Sequence, residues 1–247
     1  GRKPIQSSVV PEFKPRWVAR AWEKITEEVS AGHQAYVVCP RIDGDGGVIA
    51  LAARLAAGPL DGVRVGVLHG RMKGEEKDAV MTAFAAGEVD VLVSTTVIEV
   101  GVDVPQATIM VIEHAESFGL AQLHQLRGRV GRGSGASTCL LMYHPPLNET
   151  GARRLTTLRD TEDGFRIAEV DLEMRGAGDV IGMAQSGLPR FRIADLEHQA
   201  GLMAVARQDA RNLLEQDPGL GSQRGQAIRM LMWLMSQDEA IRLIAVG

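Results

Sequence analysis

Two arginines stand three residues apart on a glycine-rich segment near the middle of the chain. Arg129 and Arg132 belong to the run QLRGRVGR, residues 125–132. A guanidinium group is always charged and binds phosphate oxygens bidentately. Glycines on either side of Arg129 let the backbone approach a ligand closely. This pattern favours contact with a nucleoside triphosphate, although Arg-Gly-Arg runs also occur in basic surface loops.

A second polar segment follows an apolar run that ends at Ser94. The hydroxyls and backbone amides of Thr95 and Thr96 suit a nucleic-acid phosphate, and simple capping of a strand end is the alternative interpretation. Further along, Gly101 permits a sharp turn, and Asp103 offers an acceptor for a ribose hydroxyl or for an arginine.

A third segment, His69-Gly70-Arg71, follows another apolar run. His69 and Arg71 can both donate hydrogen bonds to phosphate, and Gly70 allows a close approach. A single His-Gly pair in a loop is more often structural, so the sequence leaves both interpretations open.

Composition limits the classes of protein that the chain can represent. It has 247 residues, 45% of them hydrophobic, and a net charge of −4, so any contact with DNA must be local. Cys39 and Cys139 are far apart and no metal-ligand spacing accompanies them, which predicts reduced thiols, a cytoplasmic location and no metal site. No signal peptide or membrane-spanning run is evident.

Hydrophobic periodicity predicts an α/β fold in the first part of the chain. Apolar runs predict strands at 35–39, 63–68, 89–94, 108–112 and 138–143. Helices are predicted between them at 18–29, 48–57, 75–86 and 120–126. This alternation indicates a parallel sheet covered by helices on both faces, with ligands expected at the carboxyl ends of its strands.

The alternation stops after about residue 145. Helices are predicted at 148–160, 164–174, 194–215 and 228–235, with a glycine-rich loop at 176–187. We therefore expect two domains, a sheet domain over 1–145 and a helical extension over 146–247.

The motifs together resemble those of superfamily 2 helicases. The run at 125–132 is similar to the sixth motif of these enzymes and residues 94–105 to the fifth. With residues 1–5, 68–72 and 119–133, they resemble the RecG family of ATP-dependent DNA helicases. Residues 171–187 resemble its translocation motif, which is shared with the transcription-repair coupling factors. The likeness extends to about Leu196, with two departures: a short Gly/Asp-rich loop after Pro40, and Met174 at a position where a β-branched residue is expected.

The resemblance implies a RecA-like second motor domain and a role for each motif. It assigns catalytic contacts with ATP to Arg132, Arg129 and Gln125, and nucleotide contacts to Gly101, Asp103, Arg129 and Arg132. It assigns DNA contacts to His69, Arg71, Thr95 and Thr96, and coupling of hydrolysis to translocation to Arg175 and Gln185. ATP and Mg²⁺ would be held mainly by a first motor domain.

The chain contains no GxxxxGK[ST] loop and no DExH-type motif, so we expect it to be inactive alone. By resemblance, the intact protein would remodel stalled replication forks and branched recombination intermediates. Its partners would be forked DNA, its own N-terminal wedge domain and its first motor domain. The alternatives are the matching part of a transcription-repair coupling factor and a stand-alone nucleic-acid-binding domain that has lost motor function.

Overall fold

The computed structural model describes residues 3–95, 103–183, 208, 212, 215–217 and 222, with residues 175–183 described by their helical backbone only. Its strands are β1 Ile5–Pro11, β2 Gln34–Val38, β3 Val65–Leu68, β4 Val91–Ser94, β5 Ala107–Ile112 and β6 Ser137–Tyr143. Its α-helices are α1 Pro15–Ser30, α2 Val48–Ala57, α3 Gly74–Ala85, α4 Leu120–Arg127, α5 Glu149–Asp160 and α6 Gly164–Met183. A 3₁₀ turn covers Ala115–Ser117. Within these ranges, no helix has the length and apolar content to cross a membrane.

The strands form one sheet in the order β1-β6-β5-β2-β4-β3, and every neighbouring pair is parallel. Because successive strand residues alternate between faces, the same strands supply two separate cores. On one face, Trp22 and Ile25 of α1 and Leu51 of α2 pack against strand residues such as Val37 and Val93. The opposite face is covered by α3, α4, α5 and the first half of α6, through Phe84, Leu123, Leu158 and Ile167 among others.

The predicted α/β class is confirmed, and the predicted strands and first helices agree with the structure to within three residues at each end. Strand β1 was not predicted. It contains Gln6, Ser7 and Ser8, it is partly exposed, and among the described strands it pairs with β6 alone, so its sequence lacks the apolar signature of a buried strand.

The predicted glycine-rich loop at 176–187 is wrong as far as Met183, because α6 continues to that residue. Isolated glycines are tolerated in a helix at about 1 kcal/mol each relative to alanine, and no two glycines are adjacent here. The rest of that loop and the predicted helix at 228–235 lie outside the described residues, as does most of the helix at 194–215.

The chain divides into two compact units, Gly1–Met174 and Arg175–Gly247. The first unit therefore ends well beyond the predicted domain boundary at residue 145. The reason is that Leu155, Leu158, Ile167 and Val170 of α5 and α6 belong to the core on one face of the sheet.

A cluster of titratable side chains holds together the carboxyl ends of β1, β5 and β6. Glu113 follows β5, is only 6% exposed and lies beside Glu12, which follows β1. Glu12 Oε2 also contacts Nε2 of His144, which follows β6. The imidazole of His144 stacks on that of His114 with ring centroids 4.1 Å apart. Burial, followed by the neighbouring Glu12, raises the pKa of Glu113 to about 8.

We predict that this proton makes the stability of the chain depend on pH. The folded pKa of Glu113 exceeds its value of 4.5 in an unfolded chain, so its contribution is complete below pH 4.5 and is lost as the pH rises to about 8. Across this window the free energy of unfolding of Glu113→Gln should fall less than that of the parent, by about 1–3 kcal/mol. Urea unfolding at several pH values measures this difference, and the exposed Glu88→Gln provides the control. Parallel pH profiles for Glu113→Gln and the parent would contradict it.

Candidate functional site

The arginine-bearing segment begins at α4, whose apolar positions fix its orientation. Leu120, Leu123 and Leu126 are buried in the core, which leaves Gln125 exposed on the opposite side of the helix. The Gln122 Oε1 atom accepts a hydrogen bond of 3.0 Å from the amide of Gly119 and so caps the start of the helix. The helix ends at Arg127, and the chain then turns toward the starts of the strands.

Glycine is required at two positions after α4, because the backbone passes very close to neighbouring elements. Gly131 has φ +73°, and a Cβ atom there would lie 2.9 Å from Ile5 Cγ1 at the start of β1. A Cβ atom on Gly133 would lie 2.3 Å from the carbonyl oxygen of Pro105, just before β5. These contacts fix Arg132, between the two glycines, at the amino end of the sheet.

Arg127, which sequence reasoning left without a role, is buried and only 2% exposed. Its Nη1 donates to the carbonyl oxygen of Leu158 in α5 and, at 3.3 Å, to Ser7 Oγ in β1. Its Nη2 lies 3.2 Å from His124 Nδ1. Burial lowers the pKa of Arg127, and it also lowers the pKa of His124. Arg127 therefore ties α4 to α5 and to β1.

Arg129 and Arg132 both line an open cleft of about 980 Å³. Gln125, Lys3 and Glu162 line the same cleft. Arg129 is half-buried and Arg132 is exposed, so neither guanidinium is sealed inside the protein. The cleft can thus receive an anionic ligand from solvent.

Asp103 is the carboxylate partner of Arg132 in this structure. Arg132 Nη1 donates to Asp103 Oδ1, and its Nε donates to the carbonyl oxygen of Gly128 at 3.0 Å. The Asp103 side chain is 66% exposed, so the ion pair is accessible to water and screened. Both arginines also act on nearby Tyr36: burial raises its pKa to about 12, and their positive charges partly oppose that rise.

The other predicted contact residues lie at the carboxyl ends of β3 and β4. The amide of Thr95 donates to the carbonyl oxygen of Leu68 at 3.1 Å, which links the two strand ends. Each of these two strand ends has a buried polar atom without a hydrogen-bond partner among the described residues: Nδ1 of His69 after β3, and Oγ of Ser94 at the end of β4. Arg71 is exposed and donates to Asp43 at 2.5 Å. Thr96 and Gly101 lie outside the described residues.

The predicted site residues therefore fall into two groups at opposite ends of the sheet. Gln125, Arg129, Arg132 and Asp103 gather at the amino end, whereas His69, Arg71 and Thr95 lie at the carboxyl end. The expectation that ligand-binding residues lie at the carboxyl ends of strands describes only the second group. The arginines lie at the other end because α4 runs back across the sheet before they occur.

Sequence reasoning missed three residues that join the hairpin of α5 and α6 to this region. Arg154 of α5 donates to the carbonyl oxygen of Phe118 at 2.5 Å, just before α4. Glu162, between the two helices, accepts a bond of 2.7 Å from the amide of Ile5, and Arg127 bonds α5 as described above. Only Arg154 could have been noticed in the sequence, because its position next to Leu155 places it near the apolar side of α5.

The two residues predicted to couple hydrolysis to translocation have no described side chains. Arg175 lies within α6, where only the backbone is described, and Gln185 lies outside the described residues. In the described part of the chain, no group of three His, Cys, Asp or Glu side chains has the arrangement of a metal site.

Comparison with known proteins identifies the class of this fold. Residues 18–134 match the family model described as "Helicase conserved C-terminal domain". The chain is also similar to the structure of domain 2 of the DEAD-box helicase Mss116p, with a TM-score of 0.52 over 86% of this chain and 79% of that one. The identity is 16%, so this likeness supports the fold alone. The first unit therefore has the fold of a helicase C-terminal motor domain.

Residues 161–237 match the model "ATP-dependent DNA helicase RecG, domain 3, C-terminal". The chain is 47% identical over 224 residues to the RecG helicase of Acidithiobacillus ferridurans and 52% identical over 225 residues to that of Mycobacterium leprae. These alignments cover 88% and 83% of this chain but only 32% and 30% of the relatives. A solved structure of RecG bound to a three-way DNA junction matches 82% of this chain and 26% of its own, at 44% identity and TM-score 0.65. The chain belongs to the RecG family, and it spans about a third of the length of the curated relatives that it matches.

We predict that Arg127→Ala destabilises the chain by about 2–4 kcal/mol, because it removes a buried charged donor and leaves the Leu158 carbonyl without its bond. Urea denaturation followed by circular dichroism measures the change. Arg159→Ala is the matched control, because Arg159 is exposed on α5 and pairs with the adjacent Asp160. Equal midpoints for the two variants would show that the buried bonds contribute little.

Proposed function

We propose that this chain is the second motor domain and translocation module of an ATP-dependent DNA helicase that remodels stalled forks and branched recombination intermediates. The observation that carries the proposal is the pair Arg129 and Arg132, held on a glycine-built segment and facing an open cleft. The names of the relatives support the activity, and the RecG structure solved with a three-way DNA junction supports branched DNA as the substrate.

The arginine cleft would act on the triphosphate of ATP bound by the first motor domain, which would also hold Mg²⁺. In the proposed reaction, Arg132 leaves its exposed partner Asp103 and donates to the γ-phosphate, where negative charge is concentrated. Arg129 adds a second positive charge from the same wall of the cleft. Asp103, once released, can accept from a ribose hydroxyl, and Gln125 on α4 senses whether the cleft has closed.

The strand ends at β3 and β4 would hold the DNA backbone. Thr95 would offer its hydroxyl to one phosphate and Thr96 its hydroxyl and amide, whereas His69 and Arg71 would offer donors to another. The partnerless Nδ1 of His69 and Oγ of Ser94 support this assignment, because buried polar atoms rarely remain unsatisfied. Arg71 would exchange Asp43 for a phosphate.

The hairpin of α5 and α6 would carry the motion of the cleft toward Arg175 and Gln185. Support comes from the three bonds that tie the hairpin to the arginine segment and to β1, made by Arg127, Arg154 and Glu162. A shift of α4 on closure would thus move the hairpin with it. The transcription-repair coupling factor remains the less favoured interpretation, because the family match at 161–237 is to RecG. The cytoplasmic location remains a prediction.

We predict that Arg132→Ala in the intact protein lowers DNA-stimulated ATP hydrolysis by roughly 10³- to 10⁵-fold, because the charge that it supplies acts only in the transition state. ATP affinity, measured with a fluorescent analogue, should stay near that of the parent. Arg20→Ala, which removes an exposed arginine paired with Glu27 on α1, should hydrolyse ATP normally. Turnover of Arg132→Ala close to the parent rate would remove the arginine from the reaction.

Arg175→Ala should separate hydrolysis from movement. In the intact protein we expect ATPase activity to persist while unwinding of a model fork falls at least tenfold, because the hairpin no longer transmits cleft closure. ATP hydrolysis and fork unwinding are measured on the same preparation, with Arg159→Ala as the control on the same hairpin. An equal loss of both activities would argue against a coupling role.

A further inference from the structure

Two aromatic and two basic side chains are exposed together after β1. Phe13 is 57% and Trp17 51% exposed, which is unusual for large apolar side chains, and Lys14 and Arg16 beside them are also exposed. We call Phe13, Lys14, Arg16 and Trp17 the aromatic–basic patch. None of the roles assigned above uses it.

The neighbours of the patch hold its rings in place but do not cover them. Phe13 packs against Tyr143 at a ring distance of 6.3 Å and an interplanar angle of 80°. The ammonium group of Lys14 lies 4.6 Å from the centre of the Trp17 ring. Each ring is therefore oriented, yet about half of its surface remains available to a ligand.

The charge of the patch favours an anionic ligand. Over the residues that the structure describes, neither Lys14 nor Arg16 forms an ion pair within 4.0 Å. The acids before the patch and along α1 are paired with other residues: Glu12 with His144, Glu23 and Glu27 with Arg20, and Glu28 with His33. A phosphate approaching the patch thus meets two available cations.

The patch lies on the same edge of the sheet as the proposed DNA-contacting loops. It follows the carboxyl end of β1, and Thr95 and His69 follow the carboxyl ends of β4 and β3. In the observed order, β1 lies four strand spacings from β4 and five from β3. At about 4.8 Å per spacing this is roughly 19–24 Å, or about six to seven nucleotides at the 3.4 Å rise of a stacked strand.

We propose that the aromatic–basic patch binds an unpaired DNA strand that continues from the phosphate contacts at β3 and β4. Phe13 and Trp17 stack on bases, and Lys14 and Arg16 contact the phosphates between them. Aromatic rings with interleaved cations are the usual means of holding single strands without sequence preference. The inference rests on the proposed function and adds to it a preference for single-stranded DNA at this end of the track.

The test uses the 247-residue chain and a fluorescein-labelled oligothymidine of about a dozen nucleotides, followed by anisotropy at low ionic strength. The double variant Phe13→Ala/Trp17→Ala should bind the single strand at least tenfold more weakly, since one stacked base contributes about that factor. Its affinity for a duplex of the same length should change less than threefold. The parent should also lose tryptophan fluorescence on binding, and single Trp17→Phe should lose most of that signal while keeping its affinity.

Two further variants separate this inference from the proposed function. Phe165→Ala removes an aromatic ring on α6 that is also 51% exposed, and it should bind both DNAs like the parent. Lys14→Gln/Arg16→Gln should reduce the slope of log affinity against log salt by about one or more, as expected for two lost phosphate contacts on a single strand.

Unchanged single-strand affinity in Phe13→Ala/Trp17→Ala, while Thr95→Val binds more weakly, would overturn the patch and leave the DNA contacts at β4 standing. Equal losses for single strand and duplex would overturn the stacking. Unchanged affinity in all of these variants, Thr95→Val included, would reject both the patch and the proposed phosphate contacts. Circular dichroism of each variant excludes loss of fold as the cause.

Discussion

The buried guanidinium of Arg127 constrains the whole region around the candidate site. Arginine cannot release its proton at physiological pH, so a buried guanidinium must donate its hydrogen bonds to fixed acceptors. Here the acceptors belong to three separate elements, α4, α5 and β1. Their relative positions are therefore fixed together, and the glycine-rich segment that follows inherits that placement. Arg129 and Arg132 reach the cleft from a rigid base.

The ion pair with Asp103 orients the guanidinium of Arg132 and still allows it to bind an anionic ligand. An exposed pair contributes about 0–1 kcal/mol, far less than a guanidinium gains from a triphosphate in a closed, water-poor cleft. The pair thus orients the arginine without competing strongly with a ligand. Arg127 differs from Arg132 in burial. Arg127 has a structural role because its acceptors are buried, whereas Arg132 can exchange its partner for a ligand because that partner is a solvated carboxylate.

The parts of the fold with a clear local sequence pattern were predicted correctly. Mainly apolar runs predicted β2 to β6, and the spacing of glycines predicted the arginine segment. β1 was missed because three of its seven residues are polar, and the end of α6 was misassigned because glycine usually marks a loop. The roles of Arg127 and Arg154 depend on partners more than thirty residues away, or on strand β1, so no local pattern encodes them. The elevated pKa of Glu113 likewise arises only when three strand ends meet.

Placing the arginines and the strand-end loops at opposite ends of one parallel sheet has a mechanical consequence. Hydrogen bonds join all six described strands, so the sheet resists internal displacement of one strand against another. A local change at one end is therefore expected to move the sheet as a whole. On the proposed assignments, the force from ATP binding would act at the amino end of the sheet. The resisting force from bound DNA would act at its carboxyl end. Such forces would produce a torque on the unit, and its natural response would be to tilt as one body.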